Sequence, residues 1–103
     1  MFCVLYRFTV KAGCESAFRY DWVAVTQWLY RHAGSFGSRL HQANDGSYIG
    51  YAQWPSHDKW KEDRADTELQ SHIQAMRDNC EGVEVMYELD VTDDHLQSEG
   101  YSS

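Results

Sequence analysis

Ser38-Arg-Leu-His-Gln-Ala-Asn-Asp-Gly-Ser-Tyr-Ile-Gly-Tyr-Ala-Gln-Trp54 reads as two extended segments joined by a tight reversal. Asn44-Asp-Gly-Ser47 is the strongest hairpin signal in the chain, because Asn, Asp and Gly tolerate the positive φ such turns require. Ser38–Ala43 and Tyr48–Trp54 are therefore predicted to be an antiparallel pair. Pro55 then ends the second strand, and Ser56 is placed as the N-cap of a following helix.

Upstream, Phe2–Val10 is rich in aromatic and β-branched residues and predicts a strand closed by Lys11-Ala-Gly13. Phe2, Val4, Tyr6, Phe8 and Val10 share one face; Cys3, Leu5, Arg7 and Thr9 share the other. From Glu15 the period changes. Phe18, Trp22, Val25 and Leu29 recur at helical spacing, with Gly34 as the natural stop. Downstream, 57–79 reads as helix in two pieces whose buried side carries Leu69, Ile73 and Met76. Val83–Val91 alternates as the last strand.

The element order is β-α-β-β-α-β, which predicts an α+β, ferredoxin-like domain over 1–92: a four-stranded antiparallel sheet with both helices on one face. Residues 93–103 read as a polar, acidic tail, frayed from 97 on. By alternation the open face carries Leu5 and Met86 together with Arg7, Glu84, Glu88 and Asp90. The two apolar residues there call for cover, and a homodimer packed sheet against sheet supplies it.

With 103 residues the chain is sized for one core. Residues 1–52 carry five Lys/Arg against three acids, and residues 53–103 four against thirteen, for a net charge of -7. That balance, without a basic cluster, argues against nucleic acid and anionic membrane as partners. Three cysteines without a C-x-x-C pair indicate neither a disulfide framework nor zinc. No H-x-x-x-H, H-E-x-x-H, G-x-G-x-x-G or P-loop occurs, so no metal and no cofactor are expected. The opening MFCVLYRFTV lacks the basic start of a signal peptide, and a cytoplasmic protein is expected.

Val10-Lys-Ala-Gly13, Glu15-Ser-Ala-Phe18 with Trp22, Gly37-Ser-Arg-Leu40, Asp45-Gly46 and Tyr51-Ala-Gln-Trp54 followed by Ser56 together resemble the antibiotic biosynthesis monooxygenase-like family of dimeric α/β-barrel proteins. The resemblance covers roughly residues 2–91 and implies a homodimer whose back-to-back sheets form a barrel, with a pocket in each subunit between sheet and helices. Members include cofactor-independent oxygenases of phenolic or quinol-type molecules, haem-degrading oxygenases and proteins without known activity. The haem branch fits poorly. Tyr6 stands where that branch has a first-strand asparagine, and Trp60 and His72 are two positions too far apart.

A cofactor-independent monooxygenase needs an apolar slot for an aromatic ring, a base near neutral pKa and a donor for the developing anion. Tyr6, Trp22, Tyr51, Trp54 and Trp60 are the expected slot, and a small aromatic molecule the expected partner. His72 and His41 are the candidate bases, because histidine titrates in the right range, and Arg39 the candidate phenolate holder. The alternative is a non-catalytic dimeric domain of the same fold that binds a small molecule or serves as an accessory. In either case Tyr51–Trp60 is first a strand-to-helix joint, and its aromatics are pocket wall.

Overall fold

The first strand, β1 (Phe2–Val10), sends Phe2, Val4 and Phe8 into the core, where Val4 is completely buried. The structure, a computed structural model, describes residues 1–96, so the reading of 97–103 lies outside it. A turn closed by Cys14 N–H donating to Lys11 O at 2.9 Å leads into α1 (Glu15–His32), which buries Phe18 and Val25 as its apolar stripe requires.

The hairpin forms as predicted, with β2 (Gly37–Gln42) and β3 (Tyr48–Trp54) joined by Ala43 N–H to Ser47 O at 2.8 Å. Gly46 sits at φ 91°, a conformation that favours glycine. Asp45 Oδ1 accepts from both the N–H and the hydroxyl of Ser47, at 2.9 and 2.6 Å, which holds its carboxyl below the ordinary aspartate range. Ser56 caps α2 (His57–Lys61) by accepting Lys59 N–H at 3.1 Å. Asp66 caps α3 (Thr67–Asp78) in the same way through Leu69 N–H at 2.9 Å.

The last strand, β4 (Cys80–Asp90), begins ahead of the predicted Val83, because Lys11 N–H donates to Asn79 O at 2.9 Å and Val10 pairs with Cys80. The strands lie in the order β2-β3-β1-β4 with every pairing antiparallel. This is the expected α+β ferredoxin-like sheet.

One expectation fails on β4. Its register against β1 jumps between Leu5↔Tyr87 and Tyr6↔Val85, leaving Met86 as an extra residue in a β-bulge. The bulge reverses the phase of alternation. Glu88 and Asp90 pair with Val4 and Phe2 and so take the helix side, whereas Tyr87 and Leu89 pair with Leu5 and Cys3 on the open side. Glu88 accordingly reaches His57 Nε2 of α2 at 3.4 Å. The open face is more apolar than alternation predicts: Tyr87 is 60% exposed there, with Leu89 beside it and Leu5 and Met86 half-buried.

Two apolar clusters fill the space between sheet and helices. One gathers Phe2, Val4, Ala33, Ala52 and Trp54, the other Phe8, Phe18, Tyr48, Met76 and Cys80. Tyr6 packs against both.

Candidate active site

Between these clusters lies a cavity of about 370 Å³, bounded by the sheet, α1, α3 and the α2–α3 loop. Tyr6, Trp22, Trp54 and Trp60 all line it, as the sequence predicts. Each arrives from a different element. Tyr6 lies between Val4 and Phe8 on the inner side of β1. Trp54 ends β3 opposite Phe2, Trp22 follows Phe18 by one turn of α1, and Trp60 stands in α2. Leu69, Ile73 and Met76 of α3 close the far wall. Gly50 makes the room: a Cβ there would stand 3.1 Å from the Phe8 ring and 3.6 Å from Trp22 Nε1.

Polar groups converge at one point. Trp60 Nε1–H donates to Tyr6 Oη at 2.9 Å. Because the indole takes an acceptor position on that oxygen, the phenolic proton is left to donate to whatever enters the cavity. Burial raises the Tyr6 pKa above the ordinary tyrosine value, against the smaller downward pulls of the Trp60 bond, Arg77 and Arg64, so the phenol stays protonated at neutral pH. Arg77 lines the rim and makes no salt bridge among the described residues. Glu62 and Asp63 are the carboxylates at the rim, with Glu62 Oε1 already 3.5 Å from Lys59 Nζ.

The expected bases do not join this cluster. His72 lies at the seam of α1 and α3, its Nδ1 2.8 Å from Asp21 Oδ1, and is not part of the cavity lining. Its helical spacing puts it beside the buried stripe, but Asp21, only 8% exposed on α1, draws the imidazole to the helix contact. Arg39 pairs in register with Tyr51, and His41 with Ile49, on the open side of the sheet. Tyr51 borders the cavity along β3, but its side chain also belongs to that opposite side. There its hydroxyl lies 3.2 Å from Cys3 Sγ and accepts from Gln53 Nε2 at 3.3 Å. The Cys3 contact, first among the causes, pushes the Tyr51 phenol up. Arg39 and Tyr51 instead border a shallow depression of about 230 Å³ with Phe36 and Gln53.

Sequence reasoning missed Arg77 and Arg64. Arg77 follows Ile73 by four residues on the inward stripe of α3, so helical spacing alone carried a signal for it. Arg64 lies in Glu62-Asp-Arg-Ala-Asp66 and looks like a solvated charge; only the folded loop shows its role.

No protein-family model and no curated protein sequence matches the chain. Solved structures do. The chain is similar to SnoaB, a cofactor-independent oxygenase from Streptomyces nogalater, at 21% identity and TM-score 0.76, over 93% of this chain and 97% of that one. It is similar to Rv0793 from Mycobacterium tuberculosis at 18% identity and TM-score 0.75, over 92% and 98% of the two chains. A further likeness, at 10% identity and TM-score 0.74 over 90% and 100%, is to an antibiotic biosynthesis monooxygenase. At these identities what is shared is the backbone arrangement, and it extends over nearly the whole of each chain. The protein has the antibiotic biosynthesis monooxygenase fold.

Proposed function

We propose that the cavity takes a flat phenol or quinol and that the protein oxygenates it with dioxygen, without metal, flavin or haem. The observation that carries this reading is the Tyr6–Trp60 pair, a preset hydrogen-bond donor inside a chamber walled largely by aromatic and aliphatic side chains. The chamber's volume, about 370 Å³, falls within the roughly 300–1,000 Å³ of small-molecule sites. SnoaB, described as a cofactor-independent oxygenase, has this fold and supports the reading.

The chemistry needs little from the protein. A bound phenol loses its proton, toward water or a rim carboxylate, and its ring becomes electron-rich enough to reduce dioxygen. A new C–O bond forms at the ring C–H para to the phenolate oxygen, the O–O bond then breaks, and that C–H and the phenolic O–H plus O₂ become a quinone plus H₂O. All four electrons that dioxygen gains come from the substrate ring, so no outside reductant is required. Tyr6 O–H donates to the anionic oxygen from inside the cavity, where burial strengthens the contact, and Arg77 supplies positive charge at the exposed rim.

The open sheet face is the proposed dimer interface. Tyr87 and Leu89 are exposed there, beside the half-buried Leu5 and Met86.

The test is oxygen uptake by metal-stripped protein over a panel of polycyclic phenols and quinols, using isotopically labelled dioxygen. One labelled atom in the product carbonyl and the other in water is the expected result; no uptake across the panel sinks the oxygenase reading. One observation favours binding alone: among the described residues no histidine lines the cavity. Saturable binding of the same phenols without oxygen consumption would establish that reading instead.

A further inference from the structure

Helix α2 is only 5 residues long, so its C-terminal carbonyls lack partners within the helix. Arg64 supplies them from the loop that follows. Its Nη2 donates to Lys59 O at 2.6 Å, and its Nη1 to Trp60 O at 3.2 Å and to Glu62 O at 2.9 Å. The same guanidinium lies over the Trp54 ring, 4.9 Å from its centroid. From the other side Gln70 Nε2 donates to Arg64 O at 2.8 Å, which ties the loop to α3. One half-buried side chain thus holds the main chain of Trp60 and the ring of Trp54, two of the cavity's walls.

We propose that Arg64 is a positioning residue: by gathering three carbonyls at the end of α2 and stacking on Trp54, it fixes the Trp60 indole on the Tyr6 hydroxyl and so keeps the phenolic proton aimed into the cavity. The value of this for turnover rests on the oxygenase reading; the positioning itself does not. Arg64 differs in this from Arg77. Three of its five N–H groups are already spent on the protein, whereas Arg77 is unpaired among the described residues and free to meet a ligand. A lysine cannot reproduce the arrangement, because an ammonium has no planar fork to span separate carbonyls while lying flat on an indole.

The test uses Arg64→Lys, with Gln70→Ala as a milder variant that removes the tie from α3 and also trims a side chain at the cavity wall, so its deciding readout is the indole exchange. Solvent exchange of the Trp60 indole N–H is followed by NMR, the resonance being assigned by its loss in Trp60→Phe. Binding of a dihydroxyanthraquinone is followed by tryptophan quenching. Arg64→Lys is expected to keep the wild-type far-UV circular dichroism, to exchange the indole proton at least tenfold faster and to bind the dye about tenfold more weakly. Gln70→Ala is expected to move both in the same direction by a smaller factor. Indole exchange unchanged in folded Arg64→Lys overturns the proposal. If Arg64→Lys fails to fold, unchanged exchange in Gln70→Ala overturns it. Failure of the wild-type protein to bind the dye counts against the cavity reading, and the indole exchange then still decides the role of Arg64.

Discussion

Replacing His72 with alanine separates a structural from a chemical role for this histidine. In the folded protein His72 Nδ1 sits 2.8 Å from Asp21 Oδ1, with side-chain exposures of 27% and 12%. Removing the imidazole leaves a nearly buried carboxylate without its partner. Losing one member of a fully buried pair costs about 3–5 kcal/mol. A hydrogen bond to a charged group is worth about 1.5–3 kcal/mol. The gap left by His72 opens to solvent on one side, so water can reach Asp21 and the lower range applies, about 2 kcal/mol. For a domain of this size that is a fall in melting temperature of roughly 8–16 °C.

Urea titration followed by tryptophan fluorescence gives the stability loss. The cycle His72→Ala, Asp21→Asn and the double variant gives the coupling, expected at about 1 kcal/mol or more. Affinity and turnover, measured where the variant is still folded, should stay within about threefold of wild type, because the pair does not face the cavity. Two results refute this reasoning: a stability change under about 0.5 kcal/mol, or a turnover loss of about 100-fold in folded protein. The second is what a general base would produce.

Tyr6→Phe should flatten the alkaline loss of stability. The folded protein holds the Tyr6 proton above the ordinary value, so the unfolded chain gives it up first. Stability present below about pH 10 is therefore lost as pH climbs through the raised folded value. Cys80 and Tyr51, whose thiol and phenol are also pushed up, retain part of the fall, and a variant with the whole of it would count against the assignment. Light scattering should report a dimer at micromolar concentration, and Tyr87→Lys with Leu89→Lys should yield monomer; a wild-type species of 12.0 kDa contradicts the interface. Haem supplied with a reductant should not be degraded, since His72 is engaged by Asp21 and lies outside the cavity lining. A biliverdin-like product that disappears in His72→Ala would show otherwise.

Much of the fold was legible because local signals agree with one another. The hairpin turn, the Ser56 cap and the Phe18–Leu29 stripe each depend on near neighbours in the chain, and each formed as read. The aromatic wall was legible for the same reason, since Tyr6 shares its strand face with residues too apolar to face water. Tyr51 borders the cavity, yet spacing alone sends its side chain away from that of Trp54: an odd interval on a strand sends two side chains to opposite faces. His72 stands one residue from the Leu69–Ile73–Met76 stripe, but its partner comes from another helix, and no local pattern announces a buried aspartate. Arg64 was illegible for a similar reason, because its worth lies in carbonyls that converge only once the loop has closed.

The bulge in β4 makes strand length, not composition, decide which chemistry each surface shows. Met86 acts as a one-letter frameshift written in geometry. Pair it with Leu5 instead, as an unbulged strand would, and every residue from Tyr87 to Asp90 exchanges sides: the acids would move to the outer surface and Tyr87 and Leu89 would turn inward. A strand so paired would keep the same residues while presenting charge where two copies are proposed to meet. It would also strip His57 of Glu88 and press a tyrosine toward the α2 side of the core. Deleting Met86, by contrast, would straighten the strand and leave Tyr87 to Asp90 on the sides they now hold, so register against β1 sets which chemistry the open face shows.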